Sequence, residues 1–366
     1  MGKRLQRRDL LLVLMAAAVP DRGMALPPPR LPAVDRLPLP GTIFPAPRQA
    51  AALRVALHLQ PAPAAVLDIA PEDDNGSDRR VEPMTWYVMT GIAAHLAGGD
   101  AGPAVLAALA AWARAGALER LEPAGPKGSL VRARYTLKRS LLPLLAAYAV
   151  LRRDLPVPPA EAEIIEAWLG RLVLLAEPAD GPVSARNNHR YMRDVVMLAW
   201  ASLQGDVAAF RTALADCIAA IGAQRPDGAW PLELDRGPRA LWYQRHAIAS
   251  LVAAAEIAAA QGVDLYAVDL DGRSLHAAIA FLLDGIDAAA RGRMPGQDLG
   301  FLERRGNGRH YMAWADAYAA RFPDHPNARR LRALLAGAPR PLLDDYSGGD
   351  VIALAGARPA PGSGEV

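Results

Sequence analysis

The composition of this chain describes a folded protein with little charge bias. Its 366 residues are 52% hydrophobic and carry 41 basic against 38 acidic side chains, a formal net charge of +3. This apolar content is enough for a sizeable core and excludes a disordered chain, and the small charge excess argues against a general nucleic-acid-binding surface. The single cysteine, Cys217, cannot form an intramolecular disulfide, and its apolar, helical surroundings predict a buried core residue.

The N-terminus has the pattern of an export signal. Residues 1–25 contain a basic segment with the pair Arg7 and Arg8, and then an apolar run from Leu10 to Val19. That run is shorter than the ~20 residues of a membrane-spanning helix. We therefore predict a signal of the twin-arginine type, with a Sec signal or an N-terminal anchor as alternatives, and a periplasmic protein free of the membrane after cleavage. Cleavage removes five basic and two acidic side chains, so the net charge falls from +3 to zero and no nucleic-acid partner is expected.

Two proline-rich or polar segments follow the signal. Residues 26–50 contain too many prolines for a helix and are predicted to form an extended arm. Residues 71–83 form a polar, lid-like loop, whose resemblance to a calcium loop is poor because Pro71 stands where the first acidic ligand should be. No histidine has ligand-like partners at short spacing, so neither a metal nor another cofactor is predicted.

The remainder of the chain, residues 51–340, is predicted to be one all-α catalytic domain, followed by a C-terminal tail at 341–366. Helical periodicity, with glycine and proline as separators, predicts helices at 84–97, 102–115, 130–153, 159–177, 188–204, 206–221, 239–261, 273–290, 309–321 and 325–336. No strand is predicted. Many helices joined alternately by short turns and longer loops favour an incomplete α/α toroid, a double-layered helical barrel with a long cleft, over a simple bundle.

The segment from Asp227 to Tyr266 carries the first candidate site. Pro238 suits the first turn of a helix and Gly262 suits its end, so the spacing predicts one helix over 239–261. Arg239, Tyr243 and His246 follow at steps of four and three residues, which places them on one face near the start of that helix. Arg236 precedes them in the loop. A tyrosine among arginines at the start of a helix suits an anionic ligand.

A second candidate site lies at the start of the helix predicted over 188–204. Asn187 can cap this helix, which leaves Asn188 and His189 in its first turn, where backbone N–H groups favour negative charge. The alternative is that His189 is only a satisfied core or surface histidine.

Together the two candidate sites contain the groups needed to cleave a uronic-acid polymer by β-elimination. This reaction needs donors that neutralise the C5 carboxylate, a base that removes the C5 proton and an acid that protonates the departing O4. Asn188 and Arg236 suit the first role, and His189 and Tyr243 suit the others. A tyrosine phenol ionises near pH ~10, so its use as a base requires nearby positive charge such as that of Arg236 and Arg239.

The motifs that carry these residues resemble those of a known family. NNHRY at 187–191, DGAWPLELDRGPRALWY at 227–243 and QGVDLY at 261–266 are similar to the alginate lyases that degrade poly-mannuronate in the bacterial periplasm. GSD at 76–78 and MAWADAYAARFPDH at 312–325 match more weakly. The resemblance implies an incomplete α/α toroid with a deep cleft.

The resemblance also implies a role for each catalytic residue. Asn188 and Arg236 match the carboxylate neutralisers, His189 matches the family histidine and Tyr243 matches the catalytic tyrosine. The tyrosine serves as acid, and also as base for mannuronate, whereas the histidine is the base for the opposite epimer. Three further residues are predicted to bind substrate: Arg190, Arg239 and Trp242.

This chain departs from the family pattern at two places, and several functions remain open. Asp73 and Asp74 replace a lysine and a tyrosine of the lid loop, and Gln244 replaces a histidine. The alternatives are a lyase for another polyuronate such as glucuronan, a glycoside hydrolase that uses Glu233 and Asp235, and a non-catalytic polysaccharide-binding protein. An anionic polysaccharide is the expected partner in each case, and a monomer is the expected state.

Overall fold

The structure is a computed structural model, and the residues that it describes begin in the predicted arm. They are 43, 59–71, 78–124, 129–179, 181–303, 308–350 and 354, all within one compact unit that spans 31–366. The predicted signal at 1–25, the arm at 26–50 apart from Ile43, residues 72–77 of the lid-like loop and most of 351–366 lie outside the described residues.

Helices account for most of the described chain. In order they are α1 (Glu82–Leu96), α2 (Ala101–Ala115), α3 (Val131–Asp154), α4 (Pro159–Ala176), α5 (Asn188–Gln204), α6 (Val207–Gly222), α7 (Pro231–Leu234), α8 (Ala240–Ala260), α9 (Leu275–Ala290), α10 (Trp314–Arg321) and α11 (Pro326–Leu334). Three short 3-10 segments occupy Gly237–Arg239, Gly300–Leu302 and Asp345–Ser347. Most helices agree with the predicted ranges to within two residues.

One predicted helix, 309–321, begins five residues late, at Trp314. The reason lies in a tertiary contact: the His310 N–H donates to the Leu343 carbonyl at 2.9 Å, and Arg309 pairs with Leu343 in a parallel bridge. A parallel bridge requires extended backbone at Arg309, which is incompatible with the first turn of a helix.

A small sheet was not predicted. β1 (Asp68–Ile69) and β2 (Arg120–Leu121) pair in parallel, with Asp68 opposite Arg120. Strands of two residues are too short to produce a detectable alternation of apolar and polar residues.

The helices form two layers. α1 packs on α3, α3 on α5 and α5 on α8, so these four helices contact one another in series. α2, α4, α6 and α9 each pack on a member of that series, and α2 also packs on α4. Two layers built from alternating helices are the arrangement of an α/α toroid, which confirms the predicted fold class.

Helix α8 lies at the centre of this arrangement. Every residue from Gln244 to Ala258 is buried, and the helix packs on α5, α7, α9 and α10. Close packing on these neighbours makes the first turns of α8 a rigid platform for side chains. Cys217 on α6 is buried and free, as predicted.

The segment after Pro341 differs from the expected tail. Residues 341–350 are all buried, and the 3-10 segment Asp345–Ser347 packs on α1, α3 and α8. The polar and glycine-rich sequence of this segment suggests an exposed loop, but its aspartates are buried in ion pairs with arginines from elsewhere in the chain.

Candidate active site

The start of α5 holds the asparagine pair. The Asn187 side chain accepts a hydrogen bond from the His189 N–H at 3.0 Å, which is the predicted cap. Asn188 is fully buried, and its backbone N–H donates to Glu233 Oε1 at 2.7 Å. The cap and the carboxylate together use two N–H groups that a helix start leaves free, so the backbone of Asn188 is fixed between α5 and α7.

The loop before α8 places a cation against the predicted catalytic tyrosine. The Arg236 guanidinium lies 4.6 Å from the centre of the Tyr243 ring, and both side chains are partly exposed. On its other side, the Tyr243 ring meets the His246 ring edge to face at 5.1 Å. The structure therefore brings together the two residues that the sequence placed on either side of the start of the helix.

His246 connects the two candidate sites. The Trp242 indole N–H donates to His246 Nε2 at 3.1 Å, and His246 Nδ1 lies 3.5 Å from the Asn188 side-chain amide. The imidazole also stacks on Tyr346, with ring centres 4.3 Å apart. Burial, and then the neighbouring arginines, hold the pKa of His246 well below its usual range, so the ring is neutral.

His189 lies on a second aromatic surface of the site. Its ring centre is 4.9 Å from that of Tyr135 on α3, and the Tyr135 hydroxyl is hydrogen-bonded to the Tyr346 hydroxyl. Burial, together with the charges of Lys138 and Arg236, lowers the pKa of His189 to about 3. His189 is therefore a neutral imidazole at neutral pH, and its Nδ1 has no hydrogen-bond partner among the described residues.

Buried arginines surround Tyr346. Arg139 pairs with Asp345 at 2.7 Å, Arg245 pairs with Asp344 at 3.4 Å, and Arg309 pairs with both aspartates. Three guanidinium groups and two carboxylates thus form a buried charged cluster beside the candidate site.

Glu233 and Asp235, the pair considered for hydrolysis, are separated by the fold. Glu233 is fully buried, and this burial raises its pKa to about 7, although the Asn188 N–H and Arg236 oppose the change. Asp235 is exposed. Glu233 thus accepts a hydrogen bond from the backbone of α5 and does not face a partner carboxylate across a cleft.

The three residues predicted to bind substrate have different surroundings. Trp242 touches the site through His246 and packs on Tyr311 and Phe301. Arg190 is paired with Asp194 and Asp216 at 3.3 and 3.0 Å, and no described contact joins it to the Tyr243 group. Arg239 is exposed at the end of its 3-10 segment, also without a described side-chain contact to that group. Their binding roles stay predictions.

One departure from the family pattern, Gln244, has a local structural explanation, and the end of the lid-like loop is also held by hydrogen bonds. Gln244 accepts a hydrogen bond from the Trp230 N–H and donates to the Gly228 carbonyl, so it ties the loop before α7 to α8. Asp78, at the end of the lid-like loop, accepts from the Ala70 and Arg80 N–H groups, while its own N–H donates to Thr136. The acidic pair Asp73 and Asp74 lies outside the described residues.

Sequence reasoning missed the aromatic residues that join the two sites. Tyr135 and Tyr346 are 211 positions apart in sequence, and Tyr346 lies in the segment predicted to be a tail. Neither belongs to a motif or to a helical stripe shared with the predicted site. The one signal in the sequence was the acidic pair Asp344 and Asp345 beside Tyr346, because buried arginines could pair with it and hold this segment in place.

Within the described ranges, no three histidine, cysteine or acidic side chains are grouped so that they could hold a metal ion. No helix of that part of the chain is long and apolar enough to cross a membrane.

Comparison with known proteins bears on these same residues. The family model described as alginate lyase matches residues 135–291, which include α5, α8 and the loop between them. An alginate lyase of Azotobacter vinelandii is 31% identical over 265 residues, which cover 67% of this chain and 64% of that protein. Over these residues the chain is similar to the alginate lyase family.

Other relatives show the extent of the likeness. A polysaccharide lyase of Stenotrophomonas maltophilia is 33% identical over 181 residues, covering 47% of this chain and 52% of that protein. The crystal structure of alginate lyase A1-III from a Sphingomonas species matches with a TM-score of 0.65 at 24% identity, covering 87% of this chain and 90% of that chain. This structural likeness supports the α/α toroid. The chain spans about 64% of the length of the Azotobacter protein.

Proposed function

We propose that this protein is a polysaccharide lyase that cleaves a uronic-acid polymer by β-elimination, with alginate, and poly-mannuronate in particular, as the substrate. The observation that carries this proposal is the position of the Arg236 guanidinium, 4.6 Å from the Tyr243 ring, in a group that also contains Asn188 and neutral His189. Cation, phenol, amide and imidazole are the groups that elimination from a uronate requires. The family relatives named alginate lyase support the choice of substrate.

In the proposed reaction, the C5 carboxylate of the uronate binds at Arg236 and the Asn188 side chain. A base removes the C5 proton, the electron pair forms the C4–C5 double bond, the C4–O4 bond breaks, and an acid protonates O4. Donors that meet the carboxylate stabilise the enolate-like charge as it develops. The products are a shortened chain and a 4,5-unsaturated uronate end.

Tyr243 is the proposed acid, and also the base for mannuronate, in which the C5 proton and O4 lie on the same side. The Arg236 guanidinium lies 4.6 Å from the centre of the Tyr243 ring. His189, neutral at neutral pH, is able to accept a proton from the opposite epimer.

The contacts of Glu233 favour elimination over glycoside hydrolysis. A hydrolase of the usual kind needs two carboxyl groups ~5–10 Å apart across the scissile bond. Here Glu233 is buried against the Asn188 N–H and Asp235 faces solvent, so these two groups do not converge on one ligand.

The test of the lyase proposal is the ultraviolet absorbance of unsaturated uronate ends after incubation with poly-mannuronate, poly-guluronate and poly-glucuronate in separate reactions. We expect the band to grow fastest with poly-mannuronate. New reducing ends without the band would instead mean hydrolysis, and no change with any of the three polymers would favour a binding role.

The role of Tyr243 is tested by Tyr243→Phe, which removes only the hydroxyl. We expect kcat to fall by about 10²–10⁴-fold, the usual contribution of a general acid–base group. The matched control is Tyr148→Phe on α3, which removes a hydroxyl that donates to Glu166 at 2.8 Å outside the candidate site. This control should keep its kcat; a Tyr243→Phe enzyme that does so too would exclude Tyr243 as the acid.

We further propose that residues 1–25 direct export and that the enzyme acts in the periplasm, where an anionic polymer is accessible. Fractionation of cells that express the full chain tests this. We expect the protein in the periplasmic fraction, shortened at its N-terminus, and Arg7→Lys with Arg8→Lys should retain it in the cytoplasm if the signal is of the twin-arginine type.

A further inference from the structure

The hydrogen bonds of His246 define which of its ring nitrogens carries the proton. An indole N–H is only a donor, so Nε2, which receives the Trp242 N–H at 3.1 Å, must be unprotonated. The ring is 4% exposed and neutral, because its burial among arginines disfavours a second positive charge. The single proton of the His246 ring therefore lies on Nδ1.

This proton faces the side chain of Asn188. As the amide is placed in the structure, Asn188 Nδ2 lies 3.5 Å from Nδ1, and the two ends of the amide, one oxygen and one NH2, exchange places by a half turn. An NH2 group facing Nδ1–H would set two donors against each other, whereas an oxygen accepts the proton. Because Nδ1 is the donor, the stable orientation presents Asn188 Oδ1 to His246 and turns the NH2 group away.

The other end of the amide is buried without a partner among the described residues. Asn188 is fully buried, and Oδ1, which occupies the end away from His246 in the structure, accepts no hydrogen bond there. The backbone of Asn188 is held by Glu233 at 2.7 Å, so the half turn of the amide is the remaining variable. A buried amide end without a partner is costly unless a ligand satisfies it.

We propose that His246 is a positioning residue, which orients Asn188 so that its NH2 group points at the uronate carboxylate. This inference rests on the proposed lyase function. Without the Nδ1–H, the amide is free to present its oxygen to the substrate anion, which repels it. Trp242 acts one step further out, since its N–H selects the tautomer of His246.

The tautomer is tested directly, without any substrate. In protein labelled with ¹⁵N at histidine, the resonances of His246 are assigned by their absence from His246→Phe. We expect a protonated Nδ1 and an unprotonated Nε2 at neutral pH. A ring protonated at Nε2, or at both nitrogens, would overturn the proposal whether or not the enzyme is active.

The consequence for catalysis is tested with Trp242→Phe, which keeps an aromatic ring and removes the N–H. We expect kcat to fall by about 3–10-fold, the usual weight of one hydrogen bond, with KM changed less. In an Asn188→Ala background the same substitution should have no further effect, because the amide that it misdirects is gone. A loss confined to KM, or one that persists beside Asn188→Ala, would mean that Trp242 binds sugar instead and that His246 does not position Asn188.

The matched control is Trp168→Phe on α4, which removes an indole N–H that donates to the Ala117 carbonyl at 2.7 Å outside the site. This variant should lose stability and keep kcat. An equal fall in kcat for both variants would show a general effect of lost stability and overturn the inference. A wild-type protein inactive on every polyuronate would overturn the lyase function itself, whereas the wrong tautomer in an active enzyme would overturn the role of His246 alone.

Discussion

The burial of Glu233 leads to a prediction about the pH dependence of the free energy of unfolding, which can be tested without an activity assay. Its Oε1 accepts the Asn188 N–H at 2.7 Å, and its Oε2 has no hydrogen-bond partner among the described residues. Burial raises its pKa from 4.5 to about 7. In the unfolded chain, the carboxyl releases its proton near the ordinary value, so between these two values the folded protein binds more protons than the unfolded one.

The sign and size of the effect follow from this difference. Because the folded state holds the proton more tightly, the free energy of unfolding falls as the pH rises from 4.5 through about 7. At 1.36 kcal/mol for each pH unit, the full loss is about 3 kcal/mol. Glu233→Gln keeps a carbonyl oxygen for the Asn188 N–H but cannot ionise, so this loss should be absent.

The assay is urea denaturation of the wild type and of Glu233→Gln at about pH 5 and about pH 8.5. We expect the variant to gain about 2–3 kcal/mol on the wild type between the two conditions, with equal m-values. Other titrating groups, such as Asp194, occur in both proteins and cancel in the difference. Asp235→Asn, which removes an exposed carboxylate from the same loop, is the control. If the stability of the wild type and that of Glu233→Gln had the same pH dependence, the raised pKa of Glu233 would be refuted.

Three further predictions concern charge, backbone and metal. Arg236→Ala should lower kcat by about 10²–10³-fold in steady-state assays, as for loss of a charge-stabilising donor; an unchanged kcat with a raised KM would leave it only a binding role. Gly228→Ala should cost about 2–4 kcal/mol in urea denaturation, since φ is +89° and the new Cβ would lie 2.3 Å from the Ala277 carbonyl oxygen. Gly237→Ala, with φ of +56° and no atom within 4 Å, should cost only about 1 kcal/mol, and equal losses would contradict the clash. A chelator should leave activity unchanged, because side chains supply the acid and base; activity lost to chelator and restored by a divalent cation would contradict this.

The helices and their ends could be predicted because their causes are local. The run of apolar residues at helical spacing, the cap at Asn187 and the glycines and prolines between segments all act within a few residues of the chain. The same is true of the Tyr243 and His246 pair, which lies on one face of α8. Local pattern therefore predicted both halves of the candidate site.

The connection between the halves could not be predicted, because it depends on contacts between distant residues. Nothing near Tyr346 indicates that its ring stacks on His246, and its burial follows from ion pairs of Asp344 and Asp345 with distant arginines. Likewise, the ion pair of Arg190 with Asp216 depends on the packing of α5 on α6. Such features follow from tertiary structure, which overrides what a segment prefers alone.

The hydrogen bond between Tyr135 and Tyr346 joins positions 211 residues apart, which bears on the order in which the candidate site is assembled during synthesis. Chains are made from the N-terminus, and early segments begin to fold while later ones are still being synthesised. α3, α5 and α8 can pack before residue 346 leaves the ribosome, but the aromatic stack on His246 cannot form until then. The contacts of Tyr346 with His246 and Tyr135 are therefore completed only with the last part of the described chain, and a product that ends before residue 346 lacks them.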